Sequence, residues 1–97
     1  MNRVCILGSI NMDLVLRVDR MVKSGETILS KDYKKIPGGK GANQAVAAKR
    51  LGSSVSFIGK VGQDENGCEL LKVLEQDKID INNIKYSEHT PTGMAII

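Results

Sequence analysis

Ninety-seven residues, 41% hydrophobic and 26% charged, describe a single small globular domain with a limited core. The net charge of +3 is uneven, with eight Lys/Arg against four Asp/Glu in residues 1–48 and six against seven in the rest. With 3% aromatic residues this excludes the dense basic, stacking surface of a nucleic-acid reader, and no apolar run approaches a membrane span.

Residues 4–7 are a short apolar run ending at Gly8-Ser9, the pattern of a buried parallel strand that delivers a loop at its C-terminal end. Ligands of open α/β sheets gather at that edge, and Asn11 and Asp13 follow at once. Leu14, Leu16 and Val18 alternate with Val15 and Arg17, which predicts a strand with one apolar face. Lys23-Ser24-Gly25-Glu26 reads as a turn, and residues 28–36 as a mostly polar strand with lysines at 31, 34 and 35. Strands carrying charge on both faces are edges or flaps.

A helix is predicted over about residues 41–51, with Gly41, Ala45, Ala48 and Gly52 as a small stripe for close packing and Gly52 just past its end. Residues 55–61 read as the next strand, completing a βαβ unit with the first. Asp64 is expected to cap a helix running through Gln76, with Cys68, Leu71 and Leu74 on one face. After a turn at Asp77-Lys78-Ile79-Asp80, residues 81–86 and 93–97 read as short strands. Met1-Asn2-Arg3 leads directly into the first strand without a signal peptide. Cys5 and Cys68 lack metal-ligand spacing and sit in apolar patterns, so both are expected to be buried free thiols in a reducing cytoplasm. The final apolar strand ends without turn, cap or polar tail, and the chain is therefore expected to be a piece of a longer protein.

The densest chemistry lies in Pro37-Gly38-Gly39-Lys40-Gly41-Ala42-Asn43-Gln44. Glycines let backbone approach a ligand closely, and the helix start that follows offers N–H groups. Lys40 and Asn43 add side chains that read hydroxyls or negative charge, so the loop is expected to hold a polyol or a phosphate. A Walker A loop is excluded, since Gly41 follows Lys40 where a Mg²⁺-binding hydroxyl is needed. The dinucleotide fingerprint fits poorly, because Gln44 stands where its third glycine belongs.

Gly38-Gly39-x-Gly41-x-Asn43-x-Ala45, with Gly52 after six residues and Gly62 after nine more, resembles the first signature of the PfkB-type carbohydrate kinases. Within that family, Gly8-Ser9-Ile10-Asn11-Met12-Asp13 and Gly39-Lys40-Gly41-Ala42-Asn43-Gln44-Ala45 are most similar to the ribokinase branch, and the resemblance runs from Val4 to Ile97. It implies a three-layer α/β ribokinase-like fold, of which residues 1–97 are the N-terminal sugar-binding part. The βαβ core would carry protruding lid strands at about residues 13–36. It implies an ATP-dependent kinase that phosphorylates D-ribose at its 5-hydroxyl, with deoxyribose or fructose as alternative acceptors, using Mg²⁺ and a monovalent cation such as K⁺. The implied substrate-binding residues are Asn11, Met12, Asp13, Gly39, Lys40, Gly41, Ala42 and Asn43, with Met12 packing beneath the site.

The resemblance further implies a homodimer through the lid strands, a cytoplasmic location, and a catalytic base and nucleotide site outside this chain. No catalytic residue and no metal ligand is expected within it, nor any nucleic-acid or membrane partner. Against these readings, Asn11 and Asp13 can be turn formers, Lys40 a solvated surface lysine and Asn43 a turn-stabilising residue. A non-catalytic sugar-binding or dimerisation domain is the second functional reading. His89 reads as an ordinary surface histidine, and Gly62 and Gly67 as structural.

Overall fold

A computed structural model describes residues 2–97. Eight elements follow in order: β1 (Arg3–Leu7), β2 (Asn11–Arg17), β3 (Asp32–Gly38), α1 (Lys40–Arg50), β4 (Ser54–Gly62), α2 (Glu65–Gln76), β5 (Asp80–Ser87) and β6 (Gly93–Ile96). They form two three-stranded sheets. The first, in the order β1-β4-β5, is wholly parallel, with Val4 opposite Val55 and Ile6 opposite Phe57. In the second, β3-β2-β6, β2 runs antiparallel to β3 and parallel to β6.

Alternation along β4 decides which face is covered. Val55, Phe57 and Val61 are buried together with Ala42 and Ala45 of α1, Leu70, Leu71 and Leu74 of α2, and Ile84 of β5. Each large apolar side chain buried this way contributes roughly 1.5–3 kcal/mol. Both helices thus pack on one face of the parallel sheet. The opposite face presents Cys5, Leu7 and Ile58, all exposed, and the described residues place no helix over it.

This corrects the expectation of buried thiols, for Cys5 and Cys68 are both exposed. An unbroken apolar strand implies burial on both faces, but only the Val4 and Ile6 face of β1 meets the core. In α2 the buried positions are Gly67, Leu70, Leu71 and Leu74, a helical i, i+3, i+4, i+7 stripe. Cys68 lies one residue round from Gly67 and faces outward.

Helix α1 ends as expected, with Gly52 at φ 101° and with N–H groups of Gly52 and Ser53 donating to Lys49 and Ala48 carbonyls. Gly52 is exposed, however, so it stops the helix without joining the packed stripe. The polar strand also begins later than residue 28. Residues 19–31 form an open connection in which Arg20 pairs with Glu26 at 2.6 Å, and Lys31 with Asp19 at 2.7 Å. The first link closes a loop within the connection and the second spans its ends, and ladder pairing starts at Asp32 opposite Arg17.

The radius of gyration is 15.6 Å, against about 12.5 Å for a compact domain of this length. In the second sheet six of the seven residues of β3 are exposed.

Candidate functional site

The loop after β1, the start of β2 and the start of α1 meet at one place. Ala42 N–H donates to the Ser9 carbonyl at 3.0 Å, tying the helix start to the loop that leaves β1. Gly41 lies against Gly8 so closely that a Cβ on Gly41 would fall 2.8 Å from the Gly8 backbone. Residues 38–43 therefore sit at the C-terminal end of the first strand. Gly39, at φ 102°, makes the turn from β3 into α1.

On β2, alternation sends Met12 to one face and Asn11 and Asp13 to the other. Met12 is 1% exposed and belongs to the core. Asn11 and Asp13 are half-buried, and the Asn11 side-chain amide Nδ2–H donates to Asp13 Oδ1 at 2.9 Å. The Asp13 carboxylate lies over Gly38, where a Cβ would come within 2.5 Å of Oδ2 and 2.9 Å of Oδ1. Gly38 is itself paired with Asn11 in the ladder. One oxygen of the carboxylate thus accepts from an amide donor, and the group occupies space that a side chain on Gly38 would fill.

The residues singled out from the sequence divide into three groups. Asn11, Asp13, Gly39 and Gly41 converge at the junction, and Lys40 opens α1 there with its side chain exposed. Met12 reaches the site only as the packing beneath it, since its side chain is enclosed. Ala42 is buried and its N–H is already bonded to Ser9, so it contributes position and no free donor. Asn43 is exposed and borders a groove of about 650 Å³ between α1 and α2, whose walls include Ile10, Pro37, Val46 and Leu70.

Two contributions go beyond what the sequence pattern shows. Gly38 makes room for the Asp13 carboxylate, for which the paired glycines at the end of a strand are a signal. Thr92 and Asp64 form a linked pair beside the site. Asp64 caps α2 by accepting from Gly67 N–H at 2.8 Å, and it also accepts from Thr92 N–H at 2.8 Å and the Thr92 hydroxyl at 2.6 Å. Those bonds, the Thr92 hydroxyl first, hold the Asp64 carboxyl below its ordinary range. No local pattern announces a contact across that separation. Among the described residues no cluster of three His, Cys, Asp or Glu side chains is arranged to hold a metal ion, and no helix is long and apolar enough to cross a membrane.

A glycine-rich helix start beside the parallel sheet and an oriented carboxylate on the neighbouring mixed sheet thus meet at one place, an arrangement common where α/β proteins take small polar ligands. The chain belongs to the pfkB family of carbohydrate kinases, whose family pattern matches residues 1–97. It is 44% identical to the ribokinase of Bacillus subtilis (strain 168) over 97 residues, which is all of this chain and 33% of that protein. The fold is that of solved ribokinases. A TM-score of 0.87 at 34% identity relates it to ribokinase from Cryptococcus neoformans var. grubii serotype A in complex with ADP, covering 99% of this chain and 30% of that one. Arabidopsis thaliana ribokinase complexed with ribose and ATP gives a TM-score of 0.87 at 31% identity, over 98% of this chain and 31% of that one. The chain spans about a third of the length of the curated relatives it matches.

Proposed function

We propose that this chain is the sugar-gripping part of an ATP-dependent kinase whose preferred acceptor is D-ribose, phosphorylated at the 5-hydroxyl. The observation that carries the reading is the Asp13 carboxylate, oriented by Asn11 and seated over Gly38. A carboxylate accepts two adjacent hydroxyls at once, which suits the vicinal diol of a pentose. Asn11 fixes the carboxylate plane and retains its amide oxygen as an acceptor. Lys40 supplies an exposed cation at the start of α1, and Asn43, which borders the groove between α1 and α2, is assigned a further sugar contact on the family signature alone. Complexes of relatives with ribose, ADP and ATP support the same substrate pair here.

Phosphoryl transfer is largely positioning and charge stabilisation. The described residues contribute the first of these by fixing the hydroxyls distant from the reacting one. ATP, Mg²⁺ and a monovalent cation such as K⁺ supply the phosphoryl group and its charge neutralisation. Those groups and the catalytic base are assigned outside this chain on the strength of its family membership and of its spanning about a third of its relatives' length. The second sheet is read as the lid over the sugar. Its exposed edge strand β3, with Met21 and Leu29 exposed in the neighbouring connection, supports pairing with a second copy. Sedimentation showing only monomer at high concentration would count against the dimer.

The test is kinetic. With the intact protein and ATP, kcat/KM is expected to be highest for ribose among ribose, deoxyribose, fructose and adenosine. Higher kcat/KM for fructose or adenosine defeats the specificity. Residues 1–97 alone are expected to phosphorylate none of them, and turnover by that chain would defeat the division of labour.

A further inference from the structure

The start of β6 is fixed by the helix cap. Asp64 Oδ1 accepts from the Thr92 hydroxyl and Oδ2 from the Thr92 N–H, while the same hydroxyl oxygen accepts from Gly62 N–H at 2.9 Å. Thr92 is 7% exposed, and it is bonded to the N-cap of α2 through its N–H and hydroxyl and to the end of β4 through its hydroxyl. Gly62 has no Cβ to obstruct this approach, since one would fall 2.5 Å from Thr92 N. The next residue, Gly93, pairs with Asn11 in the β2–β6 ladder, and a Cβ on it would lie 3.3 Å from Asn11 Cβ. Asn11 in turn donates to Asp13.

We infer that Asp64 and Thr92 are positioning residues for the sugar site, latching β6 so that Gly93 fixes Asn11 and, through it, the Asp13 carboxylate. This rests on the reading of Asp13 as the sugar grip. A cap serving α2 alone needs only the bond from Gly67. The three contacts between Asp64, Thr92 and Gly62 that bridge β4, α2 and β6 exceed that need, and they end one residue from the site.

The intact protein tests this with Asp64→Asn, Thr92→Val, Thr92→Ser and Gly93→Ala. Asp64→Asn sets an amide donor against Thr92 donors, and Thr92→Val removes the hydroxyl. Each is expected to raise the ribose KM roughly tenfold, the effect of one lost hydrogen bond, while the ATP KM holds. Thr92→Ser keeps the hydroxyl and should restore the wild-type ribose KM. Gly93→Ala presses on Asn11 without touching Asp64 and should give the same ribose-specific defect, which covers the case in which Asp64→Asn fails to fold. The Asn11 side-chain amide resonance, in protein labelled on asparagine, should move in Thr92→Val and stay in Thr92→Ser. Variants that lose thermal stability with unchanged ribose KM and an unmoved Asn11 resonance would overturn the latch. If wild-type protein does not turn over ribose, the kinase reading fails, and the Asn11 resonance still decides whether the latch acts on Asn11.

Discussion

Replacing Gly38 by alanine isolates the geometry on which the sugar grip depends. The added methyl would sit 2.5 Å from Asp13 Oδ2 and 2.8 Å from its Cγ, where ordinary contact begins at 3.4 Å. The carboxylate must therefore yield by about 0.9 Å, or turn away and give up the Asn11 bond. A displacement of ~1 Å in a positioning group costs on the order of a hundredfold in rate, about 2.7 kcal/mol. Gly38 has an ordinary backbone conformation, unlike Gly39, so alanine introduces no φ strain. The expected result is a roughly hundredfold lower kcat/KM for ribose in the intact protein, with the ATP KM unchanged and the circular dichroism of the folded state retained. A coupled assay for ADP release measures it. In an Asp13→Ala background the same change should cost little further, because the two act through one carboxylate. Activity of Gly38→Ala within about threefold of wild type, or full additivity with Asp13→Ala, would refute the reasoning.

Asp13→Ala alone removes charge-assisted hydrogen bonds of roughly 1.5–3 kcal/mol each, and kcat/KM for ribose should fall about tenfold or more per bond with the melting temperature nearly unchanged. Asp64 makes stability pH-dependent. Its folded pKa is depressed, by the Thr92 hydroxyl first and then by the Thr92 and Gly67 N–H groups, so its contribution is present above the ordinary carboxylate value of about 4 and is lost as pH falls through the folded value. Urea unfolding of Asp64→Asn at pH 2–7 should show a shallower acid loss than wild type, and an unchanged slope would contradict the assignment. Both cysteines of the folded 97-residue chain should react rapidly with a thiol reagent, since both are exposed, and slow modification of either would place it under cover.

The local elements were legible because each is fixed by a local pattern. The glycine stop of α1 at Gly52, the Asp64 cap of α2 and the strand at residues 55–61 are all read within a few residues. The meeting of the glycine loop with Asn11 and Asp13 is legible for a topological reason, since an antiparallel pair of successive strands returns the end of the second, at Gly38, to the start of the first, at Asn11. The pattern misleads at Cys68 because Cys68, Leu71 and Leu74 also fit a helical stripe. The phase is set instead by Leu70 and Gly67, which pack on the sheet. The open face of β1 could not be read, because a strand covered on one face and a strand covered on two share the same apolar run. The Asp64–Thr92 link joins residues 28 positions apart, and neither side chain is unusual in its own segment.

The central claim is that Asp13 grips the acceptor sugar, and a crystal structure of the intact protein with D-ribose tests it most directly. The account predicts a ribose hydroxyl about 2.5–2.7 Å from each oxygen of the Asp13 carboxylate, the length of an O–H···O⁻ bond, with the Asn11 amide still on Oδ1. Ribose bound with no hydroxyl within about 3.5 Å of Asp13 would contradict it.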